Sequence, residues 1–466
     1  MKKNHPSNMS QVLKLALPLA GSRLLSMLMG FVGVIILSRY NATSLAASAL
    51  ISSVQVIVIS AGMAVIFSTN ILVGQYYGSK QYDKINIVLQ QSIILALLLS
   101  LLLMIIFWST GPILSFFLQP KNIVVIVEQY FYIFSFGVPA IFVITAIQQT
   151  LFAMQKQFIA LIVDLASLTL TTVLGVSLTY GKLRCPELGV SGLAYAIVIQ
   201  AWLLVFCLLY YLKSSLIFKN ITNVIDKQIL FKLFHIGWPI SISITGEILS
   251  LFALTIMAGW LGLDALKAIQ VTSQYLLLLI IPIFGISQAI SILSSHLLGA
   301  NQGRLLKKYG ESAIKLASLL ISIALIVAIL FPRALIEIFI NTHDITNQST
   351  IDLISILLVV IVIGQLFDLL RNICSAALRS MNFTMQPMLI SMTCLWFLSL
   401  PLAYIFGFMC HFGLTGMLIA YNIGMTFAGV TLYHVWLKKV SGYEIQVTVD
   451  IHSQHPEEVL PIHPHS

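Results

Sequence analysis

Apolar stretches of roughly 20 residues recur along the whole chain, each long enough to cross the hydrocarbon of a bilayer as a helix. Twelve spans are predicted, at approximately residues 12–40, 47–72, 86–110, 127–152, 158–180, 189–212, 234–259, 267–295, 311–333, 351–378, 386–407 and 413–437. Short polar hinges separate most of them. A helix satisfies its own backbone donors and acceptors in lipid, which an open strand cannot do. The alternating segments of about ten residues that build an outer-membrane barrel are absent from the sequence. The expected fold class is therefore an all-α polytopic membrane protein.

The spans repeat. Residues 13–110 shifted forward by 221 fall on residues 234–331 without a gap. Pro18 lands on Pro239, Ser22 on Ser243, Leu28 on Leu249, Ala47 on Ala268, Gly78 on Gly299 and Gln81 on Gln302. Later parts match with small drift: Gly189-Val190-Ser191-Gly192 pairs with Gly413-Leu414-Thr415-Gly416, and Leu151 and Met154 pair with Leu378 and Met381. The pattern predicts two six-helix bundles, 1–212 and 234–440, joined by a polar cytoplasmic linker at 213–233 and followed by a polar, disordered tail at 441–466. Six spans return the chain to its starting side. The two bundles then share one orientation, and their pseudo-twofold axis runs along the membrane normal.

Composition agrees. The chain is 59% hydrophobic and 9% charged, against about 25% charged in soluble domains. The net charge of +9 is unevenly placed. With the amino terminus in the cytoplasm, the cytoplasmic side collects fifteen Lys and Arg, including Lys80, Lys156, Lys227, Arg304 and Arg379. The opposite side collects six: Arg39, Lys121, Lys182, Arg184, Lys267 and Arg333. This bias predicts both termini inside. The basic excess reads as topology and lipid headgroup contact, not nucleic-acid binding. Met1-Lys2-Lys3 and the apolar run to Ser22 imitate a secretory signal, but the segment stays apolar through Leu37 and Pro18 has its repeat partner in mid-chain. The five cysteines form no CxxC pair and read as small buried residues. His452, His455, His463 and His465 in the tail match no metal-ligand spacing.

Ionisable groups at membrane depth are costly and mark pathways. Glu247 lies in the seventh span with no basic neighbour within a helical turn. Asp368 and Arg371 share a face of the tenth span, and Asp164 lies in the fifth. Arg23 in the first span is shallower. For Glu247 the bland alternative is a carboxyl bonded to the hydroxyls of Ser243 or Thr245. For Asp368 and Arg371 it is a self-neutralising pair. Two desolvated acids on facing helices can bind H+ or Na+, or pair with a cationic solute, but not all at once. Such exclusion couples two fluxes. Pro18 and Pro239, repeat partners in the first helix of each bundle, are candidate hinges, because each removes a backbone donor.

These residues resemble the multidrug and toxic compound extrusion (MATE) family, in its bacterial NorM-like branch. The resemblance runs from about residue 10 to 440. Its pieces are Pro18, Leu45-Ala46-Ala47-Ser48-Ala49, Gly74-Gln75-Tyr76-Tyr77-Gly78, Tyr180-Gly181-Lys182, Pro186-Glu187-Leu188-Gly189, Gly237-Trp238-Pro239, His296-Leu297-Leu298-Gly299-Ala300 and Ala377-Leu378-Arg379-Ser380. The resemblance implies a second-half cation site at Glu247 and Asp368. The family often has a Tyr one turn before that Asp, where this chain has Gly364. Its first-span acid is replaced by Gly33 in Gly30-Phe31-Val32-Gly33, and its fifth-span Asn positions fall on Thr171 and Gly175. A first-half ion site is therefore expected to be missing.

The expected function is secondary antiport, not enzymatic catalysis. Organic compounds, often cationic or amphipathic, leave the cell in exchange for H+ or Na+ by alternating access. No cofactor is expected, and no metal beyond Na+ at Glu247 and Asp368. Gln270, Gln274 and Phe284 are candidate cavity residues, with Arg371 and Asp164 as modulators. A monomer in the bacterial cytoplasmic membrane is expected, with small organic substrates and lipids as its partners. Two other readings keep the scaffold: a dedicated exporter of one metabolite or siderophore, and a lipid-linked sugar flippase. The acids of the spans argue against the second, which favours a basic cavity for pyrophosphate. A membrane enzyme would need a cluster such as HExxH in its spans, and none is present in the sequence.

Overall fold

The computed structural model describes residues 8–214, 225–339 and 348–454; of Ala42 and residues 444–454 only the backbone is described. The described residues are helical throughout, with no strand among them. The first lobe comprises α1 (Asn8–Ser38), α2 (Ala42–Ile66), α3 (Ser68–Gly78), α4 (Tyr82–Trp108), α5 (Thr110–Phe116), α6 (Lys121–Ser135), α7 (Val138–Ala153), α8 (Gln157–Tyr180) and α9 (Val190–Ser214). The second comprises α10 (Lys227–Trp260), α11 (Leu263–Gly299), α12 (Leu306–Leu330), α13 (Pro332–Glu337), α14 (Gln348–Ser380), α15 (Met385–Thr393), α16 (Leu400–Tyr404) and α17 (Gly413–Gln454). Eleven helices are long and apolar enough to cross a membrane, and twelve when the bent pair α6–α7 is taken as one span. The chain is a multi-pass membrane protein.

Several ends differ from the expected ones. The linker placed at 213–233 gives way to helix at both ends: α9 reaches Ser214, and α10 begins at Lys227, where Asp226 caps it by accepting from the backbone N–H of Gln228 and Ile229. A carboxylate at that position satisfies donors a helix start would leave unpaired. The tail placed at 441–466 begins inside α17, which runs to Gln454; His455, His463 and His465 lie outside the described residues. Pro18 and Pro239 are buried inside α1 and α10, which continue through them as single helices. Among the described residues the one span broken by more than 40° is the fourth, which bends by 51° between Ser135 and Val138, just ahead of Pro139. The eleventh span joins α15 and α16 with π-helical turns at Cys394–Ser399 and Ile405–Met409 around Pro401. Loosened turns of this kind are common where a proline or inserted residue interrupts the ladder.

The repeat organises the packing between lobes. Val12, Leu15 and Leu19 of α1 are buried in the core of the second lobe, while Leu233, Ile236 and Ile240 of α10 are buried in the core of the first. These are repeat partners at an offset of 221, so each lobe lends the start of its first helix to the other. Lipid tails are as apolar as these side chains, so close packing rather than water exclusion holds such contacts.

A tight crossing of α3 and α11 closes the end that carries the basic loops. A Cβ on Gly78 would overlap the carbonyl of His296, and one on Gly299 would overlap the carbonyl of Gln75. Gly78 and Gly299 are repeat partners, as are Gln75 and His296. The side chains at this crossing reach across as well. Gln75 Nε2 donates to the Ser380 carbonyl at 2.9 Å and to Asn382 Oδ1 at 3.3 Å. His296 Nε2 bonds the Ala153 carbonyl at 2.6 Å, and its Nδ1 meets Gln155 Nε2 at 3.2 Å. Ala153 and Gln155 stand to Ser380 and Asn382 at one offset, 227. One latch is thus built twice around the pseudo-twofold axis.

Further along, α1 touches α11 where Gly285 meets Ala16 and Ala20, and α10 touches α2 where Gly237 meets Val65 and Ser241 Oγ donates to the Ala61 carbonyl at 2.7 Å. Beyond these contacts, nothing lies within 4 Å of a Cβ placed on Gly30 or Gly259.

The crossing generates a test. In a background lacking the native cysteines, Ser295→Cys should react slowly with a maleimide added from the side of the basic loops. Gly299→Leu should speed that reaction at least tenfold by holding α3 and α11 apart. An unchanged rate would contradict the closure described.

Candidate functional site

Three helices of the second lobe build a buried charge cluster. α14 carries Asp368 and Arg371 three residues apart on one face, and α10 brings Glu247 against them. Arg371 Nε donates to Asp368 Oδ1 at 2.5 Å and Nη2 to Asp368 Oδ2 at 3.2 Å. The other edge of the guanidinium serves Glu247, with Nη2 to Oε1 at 2.8 Å and Nη1 to Oε2 at 3.2 Å. Asn372 Nδ2 adds a donor to Asp368 Oδ2 at 2.8 Å. Both carboxylates are gripped by the planar fork that makes Arg–carboxylate pairs strong and directional.

Burial divides the roles. The side chains of Asp368 and Arg371 are each 7% exposed, while Glu247 is 29% exposed. Glu247 is the member that solvent can reach. Behind it, Ser250 Oγ donates to the Glu247 carbonyl at 2.8 Å and meets Tyr421 Oη of α17 at 3.1 Å. The hydroxyl alternative for Glu247 is not what forms: Ser243 donates to the Pro239 carbonyl, and Thr245 Oγ1 has no partner. Gly364 also has a physical reason. The Asn422 amide of α17 lies where its Cβ would be and donates to the Val360 carbonyl at 3.2 Å, so a larger residue one turn before Asp368 would have to displace that amide.

The first lobe holds one acid at comparable depth. Asp164 on α8 accepts from Gln148 Nε2 at 2.7 Å and from the Ser22 hydroxyl of α1. Thr171 is buried, and a Cβ on Gly175 would press on Ile36 and Leu193, so neither of these positions carries a charge. Arg371 and Asp164 are therefore in separate lobes. Phe284 of α11 lies under the guanidinium of Arg23, whose carbon is 5.1 Å from the ring centre. Gln270 and Gln274 of α11 are exposed and make none of the contacts that define the cluster. Among the described residues no group of three or more His, Cys, Asp or Glu could hold a metal ion.

Sequence reasoning joined Glu247 to Asp368 only through a resemblance, and it missed that Arg371 reaches Glu247 across helices. Nothing in α10 signals that contact. It also missed Asn372 as a ligand of Asp368, and Ser22 and Gln148 as ligands of Asp164. The latch residues Gln75 and His296 were signalled by their places in the repeated motifs.

A family model described as MatE matches residues 18–177 and 239–405, one stretch in each lobe. The chain belongs to the MatE family. It is a membrane transporter, not an enzyme. Relatives along the whole length of this MatE chain include a probable multidrug resistance protein NorM of Synechococcus sp., 25% identical and covering 93% of this chain and 94% of its own. The multidrug resistance protein NorM of Burkholderia vietnamiensis is 25% identical, covering 91% and 92%. Solved structures share the fold. A MATE protein in a bent conformation superposes with a TM-score of 0.86 at 19% identity, over 95% of this chain and 97% of that one. A MOP-superfamily transporter of Pyrococcus furiosus, described as having a binding pocket of reverse polarity, gives 0.82 at 19% identity, over 94% and 97%.

The cluster's internal logic is open to a stability test. Removing a partner from a buried ion pair leaves an uncompensated charge, at a cost of about 3–5 kcal/mol. Arg371→Ala, which leaves two carboxylates facing one another, should lower the thermal midpoint in detergent by several degrees. Adding Glu247→Gln and Asp368→Asn should recover most of the loss. An Arg371→Ala protein as stable as wild type would contradict the arrangement.

Proposed function

We infer that this MatE protein is a proton-coupled antiporter that exports small amphipathic organic compounds by alternating access, with coupling at Glu247, Asp368 and Arg371. One observation carries the reading. Two carboxylates against one guanidinium leave a single negative charge, buried except at Glu247. One monovalent cation neutralises it.

The donors favour H+ over Na+. All four carboxylate oxygens already accept: Asp368 from Arg371 and Asn372, Glu247 from both ends of the guanidinium. A sodium ion would need several oxygens freed at once, whereas a proton needs one oxygen of Glu247. A protonated Glu247 gives up its charge-assisted bonds to Arg371, while Asp368 keeps Arg371 neutral on α14. The protonated state therefore frees α10 from α14. The inner end of α10 is packed in the opposite lobe's core, so a change in how α10 sits on α14 acts on the contact between lobes. With the basic loops cytoplasmic, the latched end is the inner one, and alternating access would open the lobes on the outer side. Proton uptake then favours release of cargo outward, and proton loss to the cytoplasm resets the lobes. The same orientation puts both termini inside and places the protein in the bacterial cytoplasmic membrane. The cluster lies wholly within one chain, so a monomer suffices. The two proline-bearing helices, α1 and α10, are the elements that would flex.

The test is exchange in proteoliposomes loaded with an amphipathic dye. An imposed pH gradient should drive it, and a sodium gradient at constant pH should not. Glu247→Gln should reduce gradient-driven exchange at least tenfold. Sodium-driven exchange, or an unimpaired Glu247→Gln, would overturn this reading.

A further inference from the structure

Among the described residues the carboxylates Glu247, Asp368 and Asp164, which lie within the spans, all have donors. Glu247 and Asp368 share Arg371, and Asp164 takes Gln148 and Ser22. The cations are not matched in the same way. Arg379 lies in the last turn of α14, beside the basic loops. Arg23 lies far from either end of its helix. It sits midway along α1, one turn beyond the stretch where Ala16 and Ala20 pack on Gly285 of α11. Its side chain is exposed on the surface of the helix bundle. Among the described residues its one contact of note is the ring of Phe284, from the opposite lobe.

The repeat sharpens the point. Arg23 corresponds to Ile244 and Phe284 to Met63, so the matching position between the lobes is apolar. The cation is specific to one side of the cleft. An unpaired guanidinium at this depth is costly, and the face of one aromatic ring offsets only part of that cost. Among the described residues the N–H groups of Arg23 make no hydrogen bond or ion pair. Those groups fit a carboxylate, sulfonate or phosphate through two parallel bonds.

We propose that Arg23 and Phe284 form a binding site for the anionic group of an amphipathic solute, with the solute's apolar part lying against Phe284 beside the contact of α1 with α11. The site rests on the transport reading above and gives its cargo a sign. That sign is opposite to the often cationic cargo the family resemblance implies. Because Arg23 and Phe284 belong to different lobes, a solute held by both is released when α1 and α11 separate. A free amphiphile and an anionic lipid headgroup offer the same chemistry.

Two probes of one shape decide the sign: 1-naphthalenesulfonate and 1-naphthylmethylammonium, bound to the purified protein in phosphatidylcholine nanodiscs. The sulfonate should bind at least tenfold more tightly. Arg23→Gln should abolish that preference. Arg23→Lys, which keeps the charge and loses the fork, should retain part of it and stands in if Arg23→Gln fails to fold. Phosphatidylglycerol in the nanodiscs separates the sources: competition with the sulfonate assigns the site to lipid headgroups, and unchanged binding assigns it to free amphiphiles. Equal or tighter binding of the ammonium to wild type, or unchanged sulfonate binding in both Arg23 variants, would overturn the proposal. Proton-driven exchange measured on the same protein reports on coupling separately. If it persists without a sulfonate preference, the anion site fails and the coupling site stands.

Discussion

A single guanidinium holding two carboxylates sets the terms for the second lobe. Arg371 cannot sit in the interior of α14 without counter-charge, and Asp368 three residues away supplies it. That pair alone would be neutral and inert. Glu247, arriving from α10, makes it a cluster with one charge to spare and one member within reach of solvent. The surrounding helices are shaped to it: Asn422 fills the place beside Gly364, and Gly429 lets α17 approach the backbone of α14 at Phe367 and Arg371.

The duplicated scaffold gives this cluster something to move. Each lobe buries the start of its first helix in the other, and the α3–α11 crossing repeats the same bonds on either side of the axis. Contacts built twice are lost or kept together, as expected of a two-state element. The charges, by contrast, are not duplicated. Ser26 stands at the repeat position of Glu247, Gly33 replaces the family's first-span acid, and Arg23 faces Phe284 where the other side has Ile244 and Met63. Symmetry supplies the latch; asymmetry supplies the charges.

Much of this was legible before any coordinates. Spans were visible because lipid demands long apolar helices, and the repeat was visible because identical offsets preserved Pro18, Gly78 and Gln81. The depth of Glu247 and Asp368 followed from their apolar surroundings. What could not be read was which helix face meets which. Arg371 lies 124 positions from Glu247, and no local periodicity records that contact. The break in the fourth span was similarly hidden: a proline inside a span does not by itself break it, since Pro18 and Pro239 lie within single helices. Gly364 looked like a departure from the family until Asn422 was found in the space.

The central claim is that Glu247 is the group that takes up the coupling cation, and that the cation is a proton. Infrared absorption of the purified protein in the carboxylic acid region, recorded while pH is lowered, tests this most directly. The account predicts that Glu247→Gln removes a pH-dependent carboxylic acid component that Asp164→Asn leaves in place. A spectrum unchanged by Glu247→Gln would contradict it.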